Sequence, residues 1–281
     1  MTGAPTRADR PPGTGPGTNP TALVTGGSKG IGRSLASEFA ADGYDLLLVA
    51  RTKSTLEEVA AELEYRYGVG VDTLSVDLAK RAAVDRIVDY LTTTDTTVDA
   101  LVNNAAVATY GAFAECDLET ERDQLRVNVE APVLLTRRLL PALLERDSGI
   151  VLNVASTAGL RPGPYMAGYH ASKSYLVSFT QSVAEECRAT GVSVAVLCPG
   201  PVSTDIHDES GRGSTWLERR FMLSPDRVAA AGYRGVKRGD VVVIPGYRNR
   251  VIPAICRVLP WSLRRRLGAW VTTPGVVPRP K

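Results

Sequence analysis

The chain of 281 residues is 44% hydrophobic, enough to bury a full core, and an open α/β sheet of this length often forms one domain. Its 33 basic and 30 acidic side chains leave a net charge of +3, so no global field favours nucleic acid or an acidic polymer, and small-molecule work fits better. Cys116, Cys187, Cys198 and Cys256 form no CxxC pair, and with only His170 and His207 beside them neither a metal site nor a disulfide framework is expected.

Residues 1–19 are rich in Gly, Pro and Thr, bury too little apolar surface to offset their ordering entropy, and read as a disordered tail. They hold no apolar core for a signal peptide, and no run in the chain is long enough to cross a bilayer, so a reducing cytoplasm is the expected location. From Pro20 onward short apolar runs alternate with helical patterns. Strands are predicted over 22–25, 45–50, 71–76, 98–103, 149–155, 192–198 and 241–244. Between them Ile31, Leu35 and Phe39 repeat at helical spacing, and 53–66, 79–93, 118–146, 165–189 and 224–237 also read as helices. This order predicts an α/β fold, a doubly wound three-layer sandwich around a mostly parallel seven-stranded sheet. Residues 20–248 form its catalytic domain and 249–281 a basic and apolar C-terminal extension. In such a sheet ligands bind beyond the carboxyl ends of the strands, where strand order reverses.

Directly after the first strand comes Thr25-Gly26-Gly27-Ser28-Lys29-Gly30-Ile31-Gly32. Glycines let the backbone turn tightly and approach a pyrophosphate, which then meets the free N–H groups and positive dipole end of the following helix. The strand–loop–helix setting is the one that mechanism requires. Dinucleotide sites that select NAD place an acid at the end of the second strand, whereas a nearby Arg accommodates the 2′-phosphate of NADP. This strand ends Leu48-Val49-Ala50-Arg51, without an acid, and Lys29 lies in the glycine loop, so NADP(H) is expected over NAD(H).

With these residues in view the sequence resembles the short-chain dehydrogenase/reductase family from about Pro20 to Pro245. The resemblance rests on Thr25-Gly26-xxx-Gly30-Ile31-Gly32, Asp77, Asn103-Asn104-Ala105-Ala106, Asn128, Ser156, Tyr169-xxx-Lys173 and Pro199-Gly200. It implies a Rossmann-type fold, with Asp77 and Leu78 at the adenine end of the cofactor and Asn104 and Ala105 in the ribose region. It also implies that Asn128 completes a proton relay through water to Lys173. Pro199, Gly200, Val202 and Thr204 would hold the nicotinamide amide. Two positions depart from the commonest family forms, Ala106 in place of Gly and Ala155 where a second Ser often stands, and both are small-residue swaps.

The reactive groups follow from chemistry alone. Reducing a ketone builds alkoxide character on oxygen, so the site needs an acid and a further hydrogen-bond donor aimed at that oxygen. Tyr169 is the candidate acid; a phenol's ordinary pKa of about 10 is high for exchange at neutral pH, and an ammonium beside it lowers it by on the order of one to three units. Lys173 lies four residues on and shares its helical face. Ser156, just past the fifth strand, would supply the second donor. Tyr165 reads as a wall of the substrate pocket, and His170 as a packing or surface residue rather than a second acid.

Substrate choice falls to the segment after Thr204, about 205–223, whose polar mixture suggests a closing lid, and to loops near 108–113 and 160–165. These do not name a ligand beyond a carbonyl or alcohol. From 251 to 271 the chain mixes Ile252, Ile255, Val258, Leu259, Trp261, Leu263, Leu267 and Trp270 with Arg257, Arg264, Arg265 and Arg266. Pro253 and Pro260 break this stretch, which favours packing on the body or on a second subunit over peripheral contact with a membrane surface. A homo-oligomer, dimer or tetramer, is expected. Two other readings stay open: a dinucleotide-binding sensor without turnover, and the same fold running a redox-neutral reaction.

Overall fold

In the computed structural model, which describes residues 19–203, 222–251, 255–256 and 259–272, the first strand is buried from end to end. This strand, β1 (Thr21–Thr25), pairs with β2 (Asp45–Ala50) on one side and β4 (Ala100–Asn103) on the other. With β3 (Val71–Ser75), β5 (Gly149–Val154), β6 (Val192–Leu197) and β7 (Val242–Val243) it forms a seven-stranded sheet in the order β3-β2-β1-β4-β5-β6-β7, every pairing parallel. The expected doubly wound Rossmann-type sandwich is therefore present.

Parallel strands need helical crossovers, and helices on both faces explain why β1 and β2 are apolar at nearly every position rather than alternating. On one face Ala22, Val24, Leu46 and Leu48 meet α1 (Gly30–Ala41), α2 (Lys53–Tyr67) and α7 (Pro225–Lys237). On the other, Leu23, Leu47 and Val49 meet α3 (Ala83–Thr93), α5 (Ala131–Glu145) and α6 (Ala167–Glu186). Local signals set the ends: Asp117 caps α4 (Leu118–Leu125) through the Thr120 N–H at 2.8 Å, α2 stops at Gly68 with φ +69°, and Ser224 with Pro225 opens α7. A last helix, α8 (Trp261–Thr272), begins just after Pro260.

Several expected elements differ. The single helix over 118–146 is two, α4 and α5, joined by a π-helical turn, Arg126–Glu130, in which the Ala131 N–H reaches back to the Arg126 carbonyl. Apolar spacing continues across that turn, so periodicity does not register it. The helix expected from 165 starts at Ala167, the one from 79 at Ala83, and the last strand shortens to two residues. Strand order reverses between β1 and β4, which opens the crevice at their carboxyl ends.

Candidate active site

Thr25 ends β1 with a buried hydroxyl that donates to the Val102 carbonyl (3.3 Å) and accepts from the Asn104 and Ala105 N–H groups (3.0 and 3.2 Å). The Asn104 amide donates in turn to the carbonyls of Thr25 (3.0 Å) and Gly26 (3.2 Å). Thr25 and Asn104 thus pin the glycine loop to the end of β4. Gly26 and Gly30 have φ of +66° and +56°, and a β-carbon on Gly32 would overlap the Gly26 carbonyl, so the turn needs glycine at these places. Lys29 precedes α1 without a side-chain cap, and the first turn of α1 holds no acid, which leaves the positive helix end open to an anion beside Ser28 and Ile31. These features fit a pyrophosphate.

Lys29 is exposed at the carboxyl end of β1, and exposed Arg51 follows β2, whose Val49 lies beside Thr25 in the neighbouring strand. The two cations therefore emerge at the same end of adjacent strands. Asp77 follows β3 and accepts from the Ala79 N–H at 3.1 Å, while the Leu78 side chain is buried in the core and can offer only its backbone.

Across the crevice, Ser156 follows β5 and caps a 3₁₀ turn, Thr157–Leu160, its Oγ accepting from the Ala158 N–H (3.0 Å) and donating to the Pro199 carbonyl (3.4 Å). That turn abuts α6 so closely that a β-carbon on Gly159 would stand 2.6 Å from the Lys173 carbonyl. Lys173 is buried; its Nζ donates to the Val154 carbonyl at 2.9 Å and lies 5.9 Å from the centre of the Tyr169 ring. Burial lowers its pKa to about 8, an effect only partly opposed by the neighbouring Cys198. The same dry surroundings push the Cys198 thiol up to about 12. Ser156, Tyr169 and Lys173 are thus gathered where β5 meets α6.

Asn128 sits in the π turn, buried, and its amide makes three bonds: it donates to the Val107 carbonyl (2.8 Å) and to Ser172 Oγ (3.1 Å), and accepts from the Val107 N–H (2.9 Å). Its side chain fastens the loop after β4 to α6, one residue before Lys173. Pro199 and Gly200 follow β6, and Val202 is buried and bridged to Leu223, which ties together the two ends of the expected lid. Thr204 and nearly all of that lid lie outside the described residues. Tyr165 precedes α6 rather than lying on it, at φ +65°, with its carbonyl accepting from the Gly111 N–H (2.9 Å) and its ring 6.4 Å from that of Tyr110. His170 is buried, with Nδ1 3.0 Å from the Arg161 carbonyl, and so is a packing residue.

The short chain dehydrogenase family model matches residues 20–214. The chain belongs to the short-chain dehydrogenase/reductase family. It is 37% identical to a short chain dehydrogenase from Pseudocercospora fijiensis over 66% of this chain, a match that spans only 60% of that protein's length. A ketoacyl reductase from Nostoc is 32% identical over 88% of both chains. Among solved structures, a short-chain dehydrogenase from Sphingobium yanoikuyae in complex with NADPH superposes with a TM-score of 0.75 at 28% identity, covering 86% of this chain and 96% of its own.

Some contributors to this short-chain dehydrogenase/reductase site carried no sequence signal. Gln124, within the helix expected over 118–146, is fully buried and accepts from the Thr109 N–H at 3.0 Å. Asn249 and Gly268, from the C-terminal extension, press on the site's loops: a β-carbon on Gly200 would overlap Asn249, and one on Gly268 would overlap the Pro162 carbonyl. Asn103, first of the paired asparagines, faces the core instead and donates to Asn153 at 2.8 Å.

Proposed function

We propose that this protein is an NADP(H)-dependent oxidoreductase acting on a carbonyl or secondary alcohol, with Tyr169 as general acid and base. The observation that carries this reading is the buried Lys173 ammonium set beneath the Tyr169 ring, at the carboxyl end of the sheet and across from a loop that fits a pyrophosphate. The bound nicotinamide supplies or accepts the hydride. Tyr169 gives its proton to the carbonyl oxygen in reduction and takes it back in oxidation, and the nearby ammonium favours the charge left on the phenol oxygen. Ser156 Oγ, whose bond to the Pro199 carbonyl is long, turns its proton to the same oxygen as second donor. Lys173, Thr25, Ser28, the loop glycines and the Pro199–Val202 segment hold the dinucleotide, and Asn128 positions the Lys173 helix against the loop after β4.

The preference for the phosphorylated cofactor rests on Arg51 and Lys29 at neighbouring strand ends and on the absence of an acid after Val49. The NADPH complex of the Sphingobium relative supports it, and the Nostoc ketoacyl reductase supports a carbonyl substrate. One assay tests the whole reading: NADPH absorbance followed across a ketone panel, with cofactor binding measured separately. Tyr169→Phe is expected to lower kcat by about 10²–10⁴-fold while NADPH still binds. The parent enzyme should show a lower KM for NADPH than for NADH, and Arg51→Asp should remove the difference. Undiminished turnover in Tyr169→Phe would sink the mechanism, and equal use of both cofactors by the parent would sink the preference.

A further inference from the structure

The charges of this chain are unevenly placed. Residues 241–281 contain eight Arg and Lys and no Asp or Glu; the 33 basic side chains less these eight leave 25 against all 30 acids in the preceding part. The tail is therefore strongly cationic, with no carboxylate of its own to neutralise it, while the body is mildly acidic.

The same tail exposes large apolar groups. Tyr247 is 74% exposed, and Val251, Ile255 and Leu263 between 44% and 51%. They alternate along the chain with exposed Arg248, Arg250, Arg265 and Arg266. Other residues of the tail pack inward: Cys256 is buried, and α8 rests on Pro162 at Gly268. Apolar groups beside cations on the outer side of a docked segment are the pattern of an element that lies in a membrane interface. No helix among the described residues is long and apolar enough to span a bilayer, so the segment would lie on it.

We propose that residues 247–251, Ile255 and residues 262–266 form a docking surface for an anionic lipid bilayer. Arginines meet the headgroup phosphates, and Tyr247, Ile255 and Leu263 enter the boundary with the acyl chains. A second copy of the chain is a poor occupant, since a two-fold contact would set this cationic patch against itself. An acidic protein would satisfy the arginines and leave the interleaved apolar groups without a role. The surface also adjoins the reaction site, because Asn249 touches Gly200 and Gly268 touches Pro162, so a bilayer seated there borders the substrate loop.

The test is flotation of the full chain with phosphatidylcholine vesicles and with vesicles that also contain phosphatidylglycerol, without substrate or dinucleotide, so its outcome is independent of the proposed hydride transfer. Binding is expected to the anionic vesicles only and to weaken with salt. The double variant Arg265→Glu/Arg266→Glu, at exposed positions, should lose roughly 25-fold or more in apparent affinity. Leu263→Asp should weaken binding while the salt dependence persists. A parent chain left in solution at low salt, equal binding to both vesicle types, or an unaffected double variant would overturn the proposal, as would capture of an acidic protein by a chain that ignores vesicles.

Discussion

A lysine ammonium stripped of water is costly to keep charged, and at Lys173 that cost appears as a pKa of about 8 in place of the usual 10.5. In the unfolded chain the amine is hydrated and titrates at its ordinary value. Between the two values the unfolded state holds a proton that the folded state has released, so stability rises with pH in that window. The cost is present in full below about 8 and fades as the ordinary value is approached. Lys173→Met has no proton to lose. The difference in unfolding free energy between the cofactor-free parent and Lys173→Met should be flat below pH 8, then move in the parent's favour by about 1.4 kcal/mol per pH unit. Urea titrations at several pH values check this, and a difference that stays flat throughout would show that the amine is not desolvated. The four-residue spacing from Tyr169 was enough to place both side chains on one helical face. It could not show that the ammonium reaches the Val154 carbonyl, because that contact depends on how α6 lies against the end of β5.

At the level of elements, the strands were legible because a sheet covered on both faces leaves nearly continuous apolar runs, such as Leu46-Leu47-Leu48-Val49. The π turn was not. Its mark is a hydrogen bond from Ala131 to Arg126 with one more residue in the ring, and neither composition nor apolar spacing records that. The extra residue changes the direction in which Asn128 points relative to the flanking helices and delivers its amide to Val107 and Ser172. Its side chain thereby joins a loop to the helix that carries Lys173. Asn128→Ala leaves the Val107 N–H and carbonyl without these partners, and a loss of about 2–4 kcal/mol in unfolding free energy is expected. Turnover should fall as well, because the loop after β4 and the helix carrying Tyr169 and Lys173 lose their common anchor. Denaturant midpoints and kcat measured on the same preparation check both parts. A variant as stable as the parent would mean that water or backbone readily replaces the amide.

At the scale of the whole molecule the C-terminal extension is part of the site's boundary rather than an appendage. The expectation that it packs on the body or on a second subunit came from the helix-breaking Pro253 and Pro260, yet nothing in its apolar pattern said where. The location is decided by two close approaches, Asn249 at Gly200 and Gly268 at Pro162, and a glycine in a helix gives no sequence hint of what it must let past. Gly268→Ala separates the two roles such a residue can have. In a helix that merely covers surface, exchanging Gly for Ala stabilises by about 1 kcal/mol, through propensity alone. Here the added methyl meets the Pro162 carbonyl, so α8 must shift from the loop that carries Tyr165 or push that loop inward. The melting temperature is therefore expected to fall despite the better helix former. KM for the carbonyl substrate should change several-fold while KM for the dinucleotide holds, since the Asn249 contact beside the Pro199-Gly200 segment is untouched. A higher melting temperature with unaltered kinetics would mean that α8 only rests on the surface, and that the substrate loop is held by His170 and Gly111 without it.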